Sequence, residues 1–208
     1  MKKNLLALAF LVGLLTCCKS EDAPIKPVKP TDPGSINKEY MSRAETTFAN
    51  IFKYYWSDKV RMMFGSYPNT LGTPQEPSSP DYDSHAYLWG LGSVVSAFNA
   101  IVQNTDNVDF RMTYESRLKE TLLKYYNTTK EPMCFGCFVN PHDQRLYDDA
   151  IWVGIDLADL YSKTKDSWYL DYAKSVWNFV LSGKDDELGG GVYWDENAKD
   201  SKNEAYSE

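Results

Sequence analysis

Apolar side chains recur at helical spacing over most of the chain after residue 36. In the first such stretch, residues such as Tyr40, Phe48 and Tyr55 share one face and predict an amphipathic helix of about five turns. Four further helical stretches follow, at 86–102, 109–126, 148–161 and 166–181. The segment 64–80 is rich in Pro, Gly, Ser and Asn and predicts a loop. Strand signals are few, so the pattern predicts an all-α protein.

Two kinds of helix alternate along the chain. The stretches 86–102, which includes Trp89, and 148–161 are apolar nearly all round, as expected for helices buried on most sides. The stretches 109–126 and 166–181 are one-sided, with stripes that include Met112 and Trp177 respectively. A simple bundle would make every helix similarly amphipathic, whereas two concentric layers produce this alternation. We therefore predict an α/α toroid; a helical-repeat solenoid is the rival, although no motif of fixed period is visible.

The number of helices sets an expectation about completeness. Five helices cannot close two rings, and the sequence ends at Glu208 without another helical stretch. We expect about the first half of a toroid, with apolar faces of the inner helices left uncovered. We also expect this length of chain to be inactive by itself, because half of the cleft walls would be absent.

The first 35 residues are predicted to be a targeting segment and a spacer. Lys2 and Lys3 precede a short apolar run, as in a signal peptide, and the run ends in a sequence that resembles a bacterial lipobox. Either Cys17 or Cys18 would then be the lipidated residue; an ordinary cleaved signal peptide is the alternative. We assign residues 1–17 to the signal peptide, 18–35 to a Pro-rich linker and 36–208 to the folded domain. The residues Lys19-Ser20-Glu21-Asp22 resemble the export tag of Bacteroides-type surface lipoproteins, which implies a lipid anchor in the outer membrane and a position at the cell surface.

Charge and aromatic content favour a neutral ligand. The formal net charge is −7, and it becomes −9 when Lys2 and Lys3 are removed, leaving 20 basic against 29 acidic residues. No basic cluster is present, which argues against nucleic acid as a partner. Aromatic residues make up 14% of the chain, and Tyr and Trp offer flat apolar faces that suit sugar rings, although they are also ordinary core residues.

The most informative residues are Asp148 and Asp149, which open the apolar stretch 148–161. Burying a charge is costly unless it is paired or used, and two neighbouring acids do not both ionise easily in a dry site. Such a pair can therefore supply one acid and one base or nucleophile. The alternative is that both residues cap a helix and favour its positive end.

A family resemblance joins these acids to a second motif. The string Tyr147-Asp148-Asp149 with Trp152, then Gly189-Gly190-Gly191-Val192-Tyr193-Trp194, then Lys202-Asn203, resembles glycoside hydrolase family 76. That family comprises endo-acting α-1,6-mannanases on an (α/α)6 barrel. The resemblance implies a retaining hydrolase with Asp148 as nucleophile and Asp149 as general acid/base, and a retaining pair needs carboxyl groups only about 5 to 5.5 Å apart. The implied substrate-binding residues are Tyr147, Trp152, Gly190, Tyr193, Trp194 and Asn203. Glu204 departs from the family pattern.

Other candidate residues are weaker. His85 opens the helix of 86–102 and could line the cleft, or it could be a structural histidine. Cys134 and Cys137 with His142 offer part of a zinc site, but a structural site needs four ligands. A short disulfide or a pair of inert thiols accounts for these cysteines better. No metal or organic cofactor is implied.

Two further functions remain open at this point. A non-catalytic lipoprotein that binds glycans would explain the aromatic residues and the anchor, but it gives no reason for a buried acid pair. A toroid enzyme acting on uronic-acid polymers would need basic residues near the acids, and only Arg145 is close in the sequence.

Overall fold

The computed structural model describes residues 33–68, 85–139, 144–186, 190–199 and 204–205. Contacts divide the chain into two units, Met1–Ile36 and Asn37–Glu208, and the second contains nearly all of the described residues. The predicted signal peptide with Cys17 and Cys18, and the candidate residues His142 and Asn203, lie outside the described residues.

Five helices dominate the described part of the chain. They are α1 (Pro33–Tyr55), α2 (Leu88–Asn104), α3 (Val108–Tyr125), α4 (Tyr147–Thr164) and α5 (Ser167–Ser182). Capping side chains explain where α3 and α5 begin. Asn107 accepts a hydrogen bond from the backbone N–H of Phe110, and Asp166 accepts one from the backbone N–H of Trp168. Within the described residues, no helix is both long enough and apolar enough to cross a membrane.

Short antiparallel strands follow the odd-numbered helices. They are β1 (Trp56–Ser57), β2 (Met62–Met63), β3 (Tyr126–Asn127), β4 (Cys134–Phe135), β5 (Lys184–Asp185), β6 (Gly191–Tyr193) and β7 (Glu204–Ala205). β1 pairs with β2 and β3 with β4, while β6 lies between β5 and β7. The described chain therefore repeats a helix–hairpin–helix unit: α1 leads through β1 and β2 to α2, and α3 leads through β3 and β4 to α4.

The helices form the two layers that the sequence predicts. α2 packs against α4 although α3 separates them in the sequence, and α4 makes its most extensive contact with α5. The core contains aromatic clusters, such as Phe48 against Phe98 and Phe110 with ring centroids 6.0 and 5.3 Å apart. The helices α2 and α4 thus form an inner layer, covered by residues of the other three.

Several apolar residues expected in the core are exposed. Met112 is 68% exposed, so the buried face of α3 begins at Phe110 instead. Trp177 is 62% exposed and borders an open groove between α4 and α5 with a volume of about 410 Å³. Trp89 is 54% exposed, because the start of α2 borders a cleft. The inner helices are therefore not covered on all sides.

Candidate active site

Asp148 and Asp149 lie in the first turn of α4. The residue before the helix is Leu146, which makes no capping hydrogen bond through its side chain, so neither aspartate is the capping residue. Asp149 is only 7% exposed. Asp148 is half-buried, and its Oδ1 atom is buried without a hydrogen-bond partner in the described part of the chain. Buried polar atoms normally have partners, so an oxygen left in this state is suited to reaction or ligand binding.

The environment of Asp149 makes it a candidate acid. Burial, and then the negative charge of Asp148, raise the pKa of Asp149 to about 6. A general acid works best when its pKa is close to the working pH. Asp149 can therefore hold a proton under mildly acidic conditions, where an ordinary aspartate is ionised.

Two tryptophans stand beside Asp149. A cleft of about 290 Å³ is lined by Asp149, Trp89, Trp152 and several residues of α2. Trp89 and Trp152 are 54% and 53% exposed, and they come from the first turn of α2 and the second turn of α4 respectively. The volume is at the low end for small-molecule sites, roughly 300–1,000 Å³, so the cleft accommodates part of a larger ligand. Sequence reasoning missed Trp89, because a tryptophan among apolar neighbours is interpreted as core.

The hairpin after α5 lies against the start of α4. The backbone carbonyl of Trp194 accepts a hydrogen bond of 2.9 Å from the N–H of Tyr147, and Leu146 forms a β-bridge with Asp195. Trp194 remains 44% exposed. The two sequence motifs, separated by some forty residues, are therefore brought together as expected.

Other residues of this hairpin have structural partners. The hydroxyl of Tyr193 donates a hydrogen bond to the carboxylate of Asp185 on β5, which ties the two strands together. Gly190 is exposed and has φ of +105°, a conformation that favours glycine over other residues. The requirement for glycine at this turn is thus conformational.

The structure corrects the interpretation of Tyr147 as a substrate-contacting residue. Its side chain is fully buried, and its ring stacks on Phe179 with centroids 4.4 Å apart. A β-carbon on Gly183 would come within 2.3 Å of the same ring. Tyr147 therefore packs α4 against α5 and offers no face to a ligand.

His85 packs outside the aspartate cleft. It forms a β-bridge with Phe64, and the two rings are stacked with centroids 6.2 Å apart. The cleft beside Asp149 is lined by other residues of the α2 region, from Leu88 onward.

Arg145 has a structural role that sequence reasoning missed. It is 1% exposed and forms a salt bridge of 2.5 Å with Glu196, whose side chain is 5% exposed. It also donates hydrogen bonds to the carbonyls of Lys130 and Pro132. This ion pair fastens the segment after Trp194 to the loop before β4. The partner lies 51 residues away in the sequence, so local pattern gives no sign of the contact.

The described residues include Cys134 and Cys137, two of the candidate zinc ligands. Cys134 and Cys137 are buried and are not joined in a disulfide. The described residues contain no group of three or more His, Cys, Asp or Glu side chains that could hold a metal ion.

The fold and site define an α/α toroid with an acidic pair and aromatic residues where its inner helices begin. The model of glycosyl hydrolase family 76 matches residues 39–207, and the chain belongs to this family. Among curated protein sequences, none is significantly similar to it.

Several solved structures share the fold. A family 76 glycoside hydrolase described as a mannosidase, from Bacteroides thetaiotaomicron, has 24% identity and a TM-score of 0.64, covering 77% of this chain and 42% of its own. A family 76 glycoside hydrolase from a bovine strain of the same species has 27% identity and a TM-score of 0.59, with coverage of 78% and 33%. A family 76 α-mannanase of B. thetaiotaomicron has 20% identity and a TM-score of 0.60, with coverage of 79% and 43%. The chain thus spans less than half the length of these relatives, and its fold is the corresponding part of an (α/α)6 toroid.

Proposed function

We propose that this chain carries the catalytic acids of a glycoside hydrolase that cleaves α-1,6-linked mannan with retention of configuration. The observation that carries the proposal is Asp149, a buried carboxyl group with a pKa of about 6, beside Asp148 and in a cleft that is also lined by two exposed tryptophans. Family membership supports the reaction class. Two of the structurally similar proteins are a mannosidase and an α-mannanase, and this supports mannan as the substrate.

The two acids would divide the reaction between them. Asp149 protonates the glycosidic oxygen while a carboxylate oxygen of Asp148 attacks the anomeric carbon and forms a glycosyl-enzyme intermediate. The deprotonated Asp149 then takes a proton from water, and the resulting hydroxyl attacks the anomeric carbon and releases Asp148. The unpartnered Oδ1 of Asp148 supports its role as nucleophile, because no described protein group competes for that oxygen.

The surroundings favour a neutral sugar over a uronic acid. Arg145, the basic residue closest in sequence to the pair, is buried and bound by Glu196. It is therefore not available to neutralise an anionic substrate. The exposed faces of Trp89, Trp152 and Trp194 suit the apolar faces of pyranose rings.

Reaction products test linkage and stereochemistry together. The protein is expressed as this chain together with any sequence that its reading frame encodes after Glu208. It is then incubated with α-1,6-, α-1,2- and α-1,3-linked mannans. We expect short oligosaccharides from the α-1,6 polymer alone, with the α-anomer appearing first by proton NMR. Appearance of the β-anomer first would contradict the retaining mechanism. Binding of mannan without any cleavage would instead support the alternative of a glycan-binding lipoprotein.

We also propose that the mature protein is lipid-anchored at the outer surface of the outer membrane. The support is the lipobox-like sequence around Cys17 and Cys18 and the acidic residues after it. Metabolic labelling with a palmitate analogue should mark the parent protein, and alanine substitution of one cysteine, but not the other, should abolish the label. An unlabelled parent would contradict the anchor.

A further inference from the structure

A network of polar side chains joins the two inner helices next to the cleft. Its centre is Asp156, which is 6% exposed and lies about two turns after Asp149, on the same face of α4. Both carboxylate oxygens of Asp156 accept hydrogen bonds from α2: one from the hydroxyl of Ser96, and one of 2.9 Å from the side-chain amide of Asn99. The buried carboxylate is therefore satisfied by two donors of the facing helix.

The direction of each hydrogen bond in this network is fixed from its far end. The side-chain N–H2 group of Gln103 donates to the backbone carbonyl of Asp159 at 2.9 Å, and to Oδ1 of Asn99 at 3.1 Å. A backbone carbonyl only accepts, so Gln103 presents its nitrogen here. The oxygen of Asn99 then faces Gln103, and its nitrogen faces Asp156.

The hydroxyl of Ser96 has its single proton engaged by Asp156. Burial raises the pKa of Asp156, whereas the hydrogen bonds from Ser96 and Asn99 oppose this rise and favour the ionised carboxylate. An ionised carboxylate only accepts, so Ser96 is the donor in the bond between them. Ser96 is half-buried and also lines the cleft, together with Asp149 and Trp152. Towards the cleft, the oxygen of Ser96 therefore offers lone pairs and no proton.

We propose that Ser96 binds a hydroxyl group of the sugar beside Asp149 as a hydrogen-bond acceptor, and that Asp156 is a positioning residue that keeps the proton of Ser96 turned away from the ligand. This inference deepens the proposed function and rests on it. The sugar hydroxyl donates to Ser96, and Ser96 donates to Asp156, so each bond polarises the next. A sugar that carries a group without a proton at this position, such as an O-methyl group, is disfavoured.

The first test measures binding of modified α-1,6-mannobioses to the chain expressed with any sequence that its reading frame encodes after Glu208. A sulfur atom replaces the glycosidic oxygen so that the ligands resist hydrolysis, and each hydroxyl in turn is replaced by hydrogen or by fluorine, neither of which donates. In calorimetry at pH 8, we expect both replacements at one position to weaken binding to the parent about three- to tenfold, the effect of losing one hydrogen bond.

Ser96→Ala identifies the partner of that hydroxyl. The variant should bind the unmodified ligand about three- to tenfold more weakly, and the two replacements at the sensitive position should then cause no further loss. The matched control is Ser162→Ala, which removes a serine of α4 that donates to the backbone carbonyl of Asp159 within its own helix. This control should keep the affinities of the parent.

Asp156→Asn tests the positioning role. Asn99 still presents its nitrogen, so the introduced amide turns its oxygen to Asn99 and its N–H2 group to Ser96. Ser96 then accepts that bond, and its proton becomes free to turn to the cleft. Because fluorine accepts a weak hydrogen bond, the preference for hydroxyl over fluorine at the sensitive position should fall below about twofold.

The matched control for this substitution is Asp159→Asn. Asp159 is exposed, and its carboxylate receives only a long hydrogen bond of 3.4 Å from Asn99. The variant should therefore keep the preference of the parent for hydroxyl over fluorine. A reduced preference in Asp156→Asn alone supports the positioning role, whereas an unchanged preference in that variant would overturn it.

A proton measurement decides the matter if Asp156→Asn does not fold. In the parent, NMR at low temperature should show the hydroxyl proton of Ser96, identified by its absence in Ser96→Ala, shifted downfield and protected from exchange by its bond to the carboxylate. A hydroxyl proton that exchanges freely with water would refute the role of Asp156.

The outcomes separate this inference from the proposed function. If the parent binds or hydrolyses mannan but no hydroxyl of the ligand is coupled to Ser96, this inference alone fails. If the parent binds none of the mannobioses and leaves mannan intact, the proposed function fails with it. Where hydrolysis is observed, Ser96→Ala should raise KM about three- to tenfold and leave kcat within about twofold, as expected for a contact that the ground state already makes.

Discussion

The buried pair Arg145–Glu196 offers a sharp prediction about stability. Their side chains are 1% and 5% exposed, and the guanidinium makes two hydrogen bonds to the carboxylate, of 2.6 and 3.0 Å. Glu196→Ala would leave the guanidinium buried without its counter-charge, and its remaining carbonyl partners supply no negative charge. We expect a large loss of folding stability, because a buried charge that has lost its partner still carries the cost of its desolvation.

The size of the expected loss of stability follows from the burial of the ion pair. Removing one partner of a buried ion pair costs about 3 to 5 kcal/mol, which in a chain of this size lowers the melting temperature by roughly 6 to 20 °C. The double variant Arg145→Met/Glu196→Ala should be less destabilised than Glu196→Ala alone, since no buried charge is left unpaired. Lys130, which also pairs with Glu196, is 38% exposed and stays solvated. The segment that holds Trp194 is fastened by this pair, so the hairpin should also become more susceptible to proteolysis.

The assay is urea unfolding at neutral pH, monitored by circular dichroism. The matched control is Glu120→Ala, which removes the carboxylate from the equally close pair Arg61–Glu120, whose side chains are 44% and 40% exposed. Exposed pairs contribute little because water solvates both charges, so we expect little or no change. Equal effects in the two variants, or a loss below about 1 kcal/mol for Glu196→Ala, would refute the argument from burial.

Three further predictions concern other parts of the site. Gly183→Ala places a methyl group within 2.3 Å of the Tyr147 ring and should cost about 1 to 3 kcal/mol in urea unfolding, whereas Gly90→Ala meets only an ordinary contact at 3.7 Å and should be neutral or stabilising. Because the folded-state pKa of Asp149, about 6, exceeds its reference value of 3.8, the parent should lose stability as pH rises from about 4 to 6. Asp149→Asn should therefore be about 1 to 3 kcal/mol more stable than the parent at pH 7.5 and similar to it at pH 4, and a pH-independent difference would contradict this. Trp89→Ala should weaken binding of mannan oligosaccharides about five- to tenfold in calorimetry, as expected for loss of one aromatic platform, and unchanged affinity would exclude Trp89 from the site.

The helices were predictable because burial imposes a period on the sequence. The stretch 86–102 was predicted and α2 spans Leu88–Asn104; the stretch 166–181 was predicted and α5 spans Ser167–Ser182. The alternation of nearly apolar and one-sided stretches correctly indicated two layers. The paired strands were missed, because segments of two or three residues are too short to show alternation.

The candidate site was predictable only in part. The acids and Trp194 were found through their motifs, and the structure brings them together at the start of α4. Trp89 and the Arg145–Glu196 pair depend on contacts between segments distant in sequence, which no local pattern reveals. Tyr147 was wrongly interpreted because a residue beside a functional pair was assumed to share its exposure.

The central claim is that Asp148 and Asp149 together carry out glycoside hydrolysis. The most direct test uses as parent the chain expressed together with any sequence that its reading frame encodes after Glu208. It measures the initial rate of α-1,6-mannan cleavage for this parent, Asp148→Asn and Asp149→Asn, with Asp171→Asn on the exposed side of α5 as control. Each substitution at the pair should lower the rate about 100-fold or more while circular dichroism stays unchanged, and the control should match the parent. A parent-like rate in either Asp148→Asn or Asp149→Asn would contradict the account.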